Sequence, residues 1–371
     1  MPDIMRTVHV ALGKDSYDIF IGTELGERLQ DFVRAGGYSK KALLVTDTNL
    51  APLYGEQVLA LLRAAGLDPV LYAIPAGEPS KCLAGAEKLY TTVIEHGLDR
   101  RSPVFALGGG VVGDLAGFIA ATYMRGVPFV QLPTSLLAQV DSSVGGKVAV
   151  NHALGKNLIG AFYQPDAVFI DLSLLASLPP REIATGLGEI VKYGLIYDAD
   201  FFAYLETHQK DVLSLTHEAA AHIIARSCEI KAAVVEQDEK ESGLRRILNF
   251  GHTMAHAIEQ ETKYQRYNHG EAVAIGMVGA MRVSRALGLF AEADEARATR
   301  LIESLGLPTR AEGCTVDNMY REIFHDKKTI AGKVHWVLLD RIGHTVIRDD
   351  VPEGVVRAAM RDVLATKEEQ A

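Results

Sequence analysis

Hydrophobic and polar positions change their spacing part-way along the chain. Up to about residue 170, short apolar runs alternate with amphipathic stretches, a pattern that predicts parallel strands joined by crossover helices. After about residue 172 the β-branched runs nearly disappear and apolar positions recur at helical spacing. The sequence therefore predicts an α/β domain with a Rossmann-like parallel sheet over residues 1–172 and a mainly α-helical domain over residues 173–371.

The first domain is predicted to contain strands at 6–11, 17–21, 41–46, 70–74, 104–107, 129–132 and 167–170, the first two forming a hairpin, and helices at 49–65, 80–95 and 111–123. The second domain is predicted to contain helices at 181–196, 199–206, 216–240, 244–261, 270–287 and 291–304, followed by strands at 334–339 and 344–348. Beyond residue 350 we expect a charged, frayed end.

Charge and composition narrow the class of protein. The formal net charge of −9 argues against nucleic-acid binding and makes any anionic ligand depend on a local group of Lys and Arg. The longest run without a charged residue, 126–140, is too short for a membrane helix. Three widely spaced cysteines argue against a disulfide framework, and the first residues lack the apolar core of a signal peptide. These features predict a cytoplasmic protein.

A glycine-rich turn follows the strand predicted at 104–107. Gly108, Gly110 and Gly113 satisfy G-x-G-x-x-G between a strand and a helix, where glycines let a pyrophosphate approach the helix N-terminus. A tight turn without a ligand is the alternative. Asp47, at the end of an earlier strand, is a candidate for binding ribose hydroxyls. The segment 77–81 (Gly-Glu-Pro-Ser-Lys) is either a helix-capping pair or a site for sugar and phosphate groups.

Polar residues that suit a metal occur in the second domain. Arg245, Asn249, His252 and His256 follow spacings of 4, 3 and 4, which predicts one polar stripe on a helix. Glu189 has Lys192 three residues further on, and His269 occurs in Asn-His-Gly-Glu. Two histidines and a carboxylate are typical of a catalytic zinc site with an open position. The spacing leaves open whether His256 or His269 is the third ligand.

Further cations are scattered through this acidic chain. Lys147 and Lys156 flank Asn151-His152, Lys231 lies in a predicted helix, and Asp326-Lys327-Lys328 precedes the late strands. Such residues are usually solvated surface charges. They become candidates for binding an anionic substrate only if the fold brings them around the metal.

With these motifs in view, the chain resembles the 3-dehydroquinate synthases, which belong with the sugar-phosphate cyclases. The matching segments run in family order and are 77–81, 108–114, 133–147, 155–157, 188–192, 248–257, 269–277 and 326–328. A Thr-Thr pair common in the family is Thr134-Ser135 here, which keeps a hydroxyl group.

The resemblance implies NAD⁺ and a divalent metal, usually zinc with cobalt as a substitute, in a cleft between the two domains. It implies Glu189, His252 and His269 as metal ligands, so that His256 becomes a partner of the substrate phosphate. The implied NAD-binding residues are Asp47, Glu78, Lys81, Gly109, Gly110, Val111, Val112, Gly113, Asp114, Thr134, Ser135, Lys147, Lys156, Leu174 and Ser177.

Substrate groups are assigned in the same way. The resemblance places the phosphate against Lys147, Asn157, Asn249 and His256, with Arg125 from a second subunit of a homodimer. It places the carboxylate against Arg245, Lys231 and Lys328, with Lys327 as the alternative to Lys328, and the ring hydroxyls against Asp141, Lys192 and Glu241.

The implied reaction converts 3-deoxy-D-arabino-heptulosonate 7-phosphate, a sugar-acid phosphate, to 3-dehydroquinate and phosphate. It consists of transient oxidation by NAD⁺, β-elimination of phosphate, re-reduction and ring closure. Three alternatives stay open. They are another sugar-phosphate cyclase, a metal-dependent polyol dehydrogenase of the glycerol dehydrogenase type, and a nucleotide- and metal-binding regulator without turnover.

Overall fold

The computed structural model describes residues 6–325, 329–330 and 333–365. Its contacts divide the chain into two compact units. The first comprises Met1–Leu178 together with Ala220–Lys240, and the second comprises Pro179–Ala219 together with Glu241–Ala371. The assignment of nucleotide and metal binding to residues 1–172 and 173–371 stays a prediction.

The chain up to Leu178 alternates strands and helices as predicted between Tyr17 and Pro133, and three further strands follow Pro133. Its elements are β1 (Arg6–Val10), β2 (Tyr17–Gly22), α1 (Gly26–Ala35), β3 (Lys41–Asp47), α2 (Glu56–Ala64), β4 (Asp68–Ile74), α3 (Leu83–Glu95), β5 (Val104–Gly108), α4 (Gly110–Thr122), β6 (Phe129–Pro133), β7 (Lys147–His152), β8 (Gly155–Phe162) and β9 (Ala167–Asp171).

Seven of these strands form one sheet in the order β1-β2-β9-β6-β5-β3-β4. All neighbours are parallel except the β1–β2 hairpin. Side chains alternate between the two faces of β3, so Leu43 and Val45 join a core cluster with α3 and α4, whereas Ala42 and Leu44 join another with α1 and α2. Because both faces are buried, the parallel strands are almost continuously apolar.

The connections diverge where β3 and β5 lie side by side. From β3 the chain crosses to β4 at one edge, and from β5 it proceeds through α4 to β6 in the opposite direction. Ligands of open α/β sheets bind at the carboxyl ends of strands at such a switch point. The ends of β3 and β5 are Asp47 and the glycine-rich turn.

A hairpin lies between residues 133 and 166, where the sequence pattern predicts no element. β7 and β8 pair antiparallel, with Lys147 opposite Phe162. Val148 and Val150 of β7 join the core cluster of α3 and α4, whereas most of β8 is exposed. The glycines and polar residues of 155–160 weaken the strand signal in the sequence.

From residue 179 onward the chain is mainly helical. Its elements are α5 (Pro180–Ile196), α6 (Ala199–Thr207), α7 (Gln209–Leu213), α8 (His217–Gln237), α9 (His252–Glu261), α10 (His269–Ala286), α11 (Glu292–Ser304), α12 (Val316–His325), β10 (Thr329–Ile330), β11 (Lys333–Val334), β12 (Trp336–Arg341), β13 (His344–Arg348) and α13 (Glu353–Asp362). An α/β part followed by a mainly helical part confirms the predicted fold class.

Two predictions for this part were wrong. The stretch 244–261 is not one helix, because a 3-10 segment, Leu244–Asn249, is separated from α9 by Gly251 with a φ of 78°. The segment beyond residue 350 is not frayed but forms a helix up to Asp362, in which Val356, Ala359 and Met360 are buried. Within the described residues, no helix is both long enough and apolar enough to span a bilayer.

Candidate functional site

The glycine-rich turn joins β5 directly to α4. A Cβ atom built on Gly109 would lie 3.3 Å from Oγ of Ser135, and one built on Gly110 would lie 3.1 Å from Oγ of Ser142. The first N–H groups of an α-helix have no partner within the helix and carry the positive end of its dipole. The turn therefore brings the N-terminus of α4 close to the hydroxyl groups of Ser135 and Ser142, where a side chain at Gly109 or Gly110 would be crowded.

Thr134 and Ser135 extend this edge of the sheet. The backbone N–H of Thr134 donates to the carbonyl of Gly108 at 3.0 Å, and Oγ of Ser135 accepts from the N–H of Ala138 at 3.2 Å. On the other side of β5, Oδ1 of Asp47 accepts backbone N–H groups of the turn that follows β3. Polar side chains thus line the carboxyl ends of three adjacent strands.

A buried ion pair lies beside the glycine-rich turn. Lys81 is 4% exposed, and its ammonium group donates to the carboxylate of Asp114 and, at 2.6 Å, to Oδ1 of Asn157. Burial raises the pKa of Asp114 above its ordinary value, and the positive charge of Lys81 opposes that rise. The ammonium group therefore connects α4 to the β7–β8 hairpin.

The remaining predicted residues of the first unit lie around this pair. Nζ of Lys156 is 4.0 Å from Oε1 of Glu78, and Lys147, at the start of β7, is exposed. Nζ of the buried Lys231 is 2.7 Å from Oδ1 of Asp141. Val111, Val112 and Gly113 lie in the first turns of α4, Arg125 is exposed just after α4, and Leu174 and Ser177 lie in a 3-10 turn after β9.

In the second unit, three predicted metal ligands come together. The candidate ligand atoms of Glu189, His252 and His269 all lie within 4.8 Å of one another. Oε1 of Glu189 is 3.6 Å from Nε2 of His252 and 3.7 Å from Nε2 of His269. In the described part of the chain, this buried Oε1 has no hydrogen-bond partner. Leaving such an atom unpaired is costly unless a cation completes its coordination.

The remaining polar atoms of Glu189, His252 and His269 contact other groups of the protein. Nδ1 of His252 is 3.1 Å from the carbonyl of Phe250, and Nδ1 of His269 is 3.1 Å from Oε1 of Glu259. Such bonds to Nδ1 fix the ring orientation and leave the Nε2 lone pair for a metal. The second oxygen of Glu189 accepts from the ammonium group of the buried Lys192.

Close helix packing brings these ligands together. A Cβ atom on Gly188 would lie 2.6 Å from the carbonyl oxygen of Gly270, and one on Gly270 would lie 2.0 Å from that of Thr185. The backbones of α5 and α10 are therefore in direct contact beside Glu189 and His269. Gly251 likewise lets the start of α9 pack directly against α10, since a Cβ atom at this position would lie 2.8 Å from the backbone nitrogen of Met277.

His256 lies near this group without joining it. Its ring centroid is 5.7 Å from that of His252 and 6.5 Å from that of His269. Among the described residues, the three-ligand group contains His269 rather than His256, which are the two histidines that the spacing alone left open.

The predicted polar stripe on one helix was wrong. Arg245 and Asn249 belong to the 3-10 segment, whereas His252 and His256 lie on α9. Arg245 is 1% exposed, and Nδ2 of Asn249 donates to Oε1 of Glu241 at 2.7 Å. Lys327 and Lys328 lie outside the described residues.

Sequence reasoning missed two residues that contact the predicted ones. Asn151 donates to Glu78, and Glu259 contacts His269. Glu259 follows His252 by seven residues, so helical spacing places both on one face of α9 and was a usable signal. The contact of Asn151 joins segments about seventy residues apart, for which the sequence carries no local signal.

Nearly the whole chain is similar in sequence to known proteins of one family. Residues 71–185 match the family described as 3-dehydroquinate synthase N-terminal, and residues 186–329 match the one described as 3-dehydroquinate synthase C-terminal. A 3-dehydroquinate synthase from Desulforamulus reducens is 50% identical over 357 residues, which cover 96% of this chain and 99% of the relative. The chain belongs to the 3-dehydroquinate synthase family.

Two solved structures of other synthases have the same architecture as this chain. The 2-epi-5-epi-valiolone synthase from Streptomyces hygroscopicus, with NAD⁺ and Zn²⁺ bound, superposes with a TM-score of 0.87 at 31% identity, covering 95% of this chain and 98% of its own. A 2-deoxy-scyllo-inosose synthase complexed with carbaglucose-6-phosphate, NAD⁺ and Co²⁺ gives a TM-score of 0.87 at 25% identity, covering 97% and 100%. The resemblance found in the sequence is thus confirmed.

Proposed function

We propose that this chain is a 3-dehydroquinate synthase that converts 3-deoxy-D-arabino-heptulosonate 7-phosphate to 3-dehydroquinate and phosphate. The observation that carries the proposal is the 50% identity to a 3-dehydroquinate synthase over 96% of the chain. Solved synthases with other names share the fold at lower identity, such as the 2-epi-5-epi-valiolone synthase at 31% and the 2-deoxy-scyllo-inosose synthase at 25%.

Glu189, His252 and His269 would hold a divalent metal, zinc with cobalt as a substitute. The fit rests on the unpaired, buried Oε1 of Glu189 close to two imidazole nitrogens. A bound zinc ion supplies Lewis-acid polarisation of the substrate oxygens. The chain itself contributes the orientation of each ligand, through the carbonyl of Phe250, Glu259 and Lys192.

The glycine-rich turn and its neighbours would hold NAD⁺. The fit rests on the N-terminus of α4, where Gly109 and Gly110 have no side chain to cover the backbone N–H groups and the hydroxyls of Ser135 and Ser142 lie close by. NAD⁺ supplies transient oxidation of a secondary alcohol. Around the turn, Asp47, Glu78 and Lys81 would bind sugar and phosphate oxygens, and Lys81 is held in place by Asp114.

Cations and amides of this chain would bind the two anionic groups of the substrate. Lys147, Asn157, Asn249 and His256 are proposed to hold the phosphate, and Arg245 with Lys231 the carboxylate. Arg245 and Lys231 are buried, and a buried cation interacts with an anion more strongly than a solvated one. Asp141, Lys192 and Glu241 are proposed to bind the ring hydroxyls. The substrate phosphate is proposed as the base that removes the proton during elimination.

The active assembly is proposed to be a homodimer in which Arg125 acts on the partner's substrate. Met124 and Arg125 are exposed in a turn with left-handed backbone, with φ of 49° and 70°. The chain after β8 packs against this turn, since Oη of Tyr163 donates to the carbonyl of Val127 at 2.7 Å. Leu158 and Phe162 of β8 are exposed apolar residues suited to a second copy. The cytoplasmic location stays a prediction from the sequence.

Phosphate release tests the function directly. With catalytic NAD⁺ and the heptulosonate phosphate, we expect many turnovers of phosphate release without net accumulation of NADH, because NAD⁺ is reduced and then regenerated in each cycle. A zinc chelator should abolish release and added zinc should restore it. Stoichiometric NADH from a polyol, with no phosphate released, would instead identify a dehydrogenase.

A further inference from the structure

Asn151, near the end of β7, joins two segments that are far apart in the sequence. Its backbone N–H donates to the carbonyl of Lys81 at 2.8 Å, and its Nδ2 donates to Oε1 of Glu78 at 2.7 Å. Its Oδ1 accepts the backbone N–H of Asn157 at 2.9 Å. The side chain thus donates to Glu78 and accepts from Asn157 near the start of β8.

The contact with Asn157 holds an unusual backbone conformation. Asn157 has a φ of 55°, in the left-handed region that non-glycine residues seldom adopt, although Asn tolerates it better than most. In this conformation Oδ1 of Asn157 accepts from the ammonium group of Lys81. Asn151 therefore fixes the backbone on one side of Asn157 while Lys81 fixes its side chain.

We propose that Asn151 is a positioning residue that couples the NAD-binding residue Glu78 to the phosphate-binding residue Asn157, so that one side chain sets the geometry of both binding segments. The inference rests on the proposed function, because that function assigns NAD⁺ to Glu78 and phosphate to Asn157. Asn151 itself contacts neither ligand in this proposal. It acts through its two neighbours.

The side-chain chemistry allows a test by reversing one hydrogen bond. Asn151→Asp keeps the size and the acceptor for Asn157 but places a carboxylate oxygen against the carboxylate of Glu78. We expect the Kd for NAD⁺ to rise about tenfold, because a donor is replaced by a repelling acceptor. In Asn151→Asp/Glu78→Gln, the new amide can donate to the new carboxylate. The Kd should then return to within about threefold of Glu78→Gln alone.

The second contact is tested by removing the side chain. Asn151→Ala also loses the acceptor for Asn157, so the KM for the sugar phosphate should rise about tenfold above that of Asn151→Asp, while kcat falls less. The control is His152→Ala, because Nδ1 of His152 accepts only from the hairpin's own Leu154 N–H in the hydrogen bonds described here. It should leave the Kd for NAD⁺ unchanged.

Calorimetric titration of NAD⁺ gives a readout that needs no turnover. If Asn151→Asp binds NAD⁺ as wild type does, or if Glu78→Gln does not rescue it, the proposal is overturned. A loss of thermal stability without rescue would likewise show a merely structural role. If wild type binds NAD⁺ yet releases no phosphate, the proposed function fails, whereas the coupling of Asn151 to Glu78 is still decided by the rescue.

Discussion

At the scale of single residues, the candidate metal site depends on how each ligand is oriented. The carboxylate of Glu189 has one oxygen on Lys192 and the other unpaired beside two imidazoles. The Nδ1 atoms of His252 and His269 contact a carbonyl and a carboxylate, and their Nε2 atoms lie 3.6 and 3.7 Å from Oε1 of Glu189. A cation bound there would relieve the cost of the buried, unpaired oxygen.

Replacing His252 by Ala should abolish zinc binding and activity together, because it leaves two ligands where the site needs three. The matched variant is His256→Ala, four residues further along the same face of α9. It should keep zinc and raise the KM for the sugar phosphate about tenfold or more, as expected for loss of one charge-assisted hydrogen bond. Metal content after dialysis, measured by plasma mass spectrometry, separates the two variants. Full zinc occupancy in His252→Ala would show that the ligand set is wrong.

At the scale of elements, glycine contacts between helices decide where the ligands meet. Gly188 and Gly270 let α5 and α10 touch through their backbones, and each glycine is adjacent in sequence to a proposed ligand. A larger residue at either position would push the helices apart. The distances between ligands would change with them, since Glu189 and His269 move with their helices.

Gly270→Ala should therefore weaken both folding and metal binding. The added Cβ atom would lie 2.0 Å from the backbone carbonyl oxygen of Thr185, an overlap that backbone movement must relieve at about 1–3 kcal/mol. Gly354→Ala in α13 is the control, because a Cβ atom there meets nothing within 4 Å. Chemical denaturation and zinc affinity are the measurements. Equal stability and equal zinc affinity in the two variants would contradict this account of the helix contact.

At the scale of the whole molecule, an acidic protein must bind a doubly anionic substrate. The chain carries a net charge of −9, yet Lys81, Lys192 and Lys231 are all buried and each is paired with a carboxylate. Pairing with a carboxylate offsets part of the cost of burying each ammonium group. These ion pairs thus place ammonium groups at three interior positions despite the overall negative charge.

The proposed homodimer predicts complementation between subunits. Arg125→Ala and Lys147→Ala should each reduce activity about a hundredfold or more, because each removes a cationic side chain that is proposed to bind the substrate phosphate. If Arg125 acts on the partner's substrate, a mixed dimer contains one site with both residues intact. Mixing the variants under conditions of subunit exchange should then restore about a quarter of wild-type activity. No recovery in dimers shown by light scattering to have exchanged would place Arg125 in its own subunit's site.

Local sequence patterns were sufficient to predict much of the fold. The apolar runs of β3 and β5, and the helical spacing of α10, reflect burial on two faces or on one stripe, which a sequence displays directly. The β7–β8 hairpin and α13 were not predicted. The hairpin has weak strand residues, and α13 was treated as a charged end although its apolar positions recur at 356, 359, 360 and 363.

The sequence by itself determined the fold class, the glycine-rich turn after β5 and the family, because these depend on local periodicity and on the identity of short segments. Residue spacing left open which histidine joins Glu189 and His252, and only the family resemblance pointed to His269, which the tertiary structure places beside them. Tertiary structure alone decided that Gly251 interrupts the predicted helix and that Asn151 links Glu78 to Asn157. These features depend on contacts between segments remote in the chain. Residue spacing along one segment carries no information about which other segment packs against it.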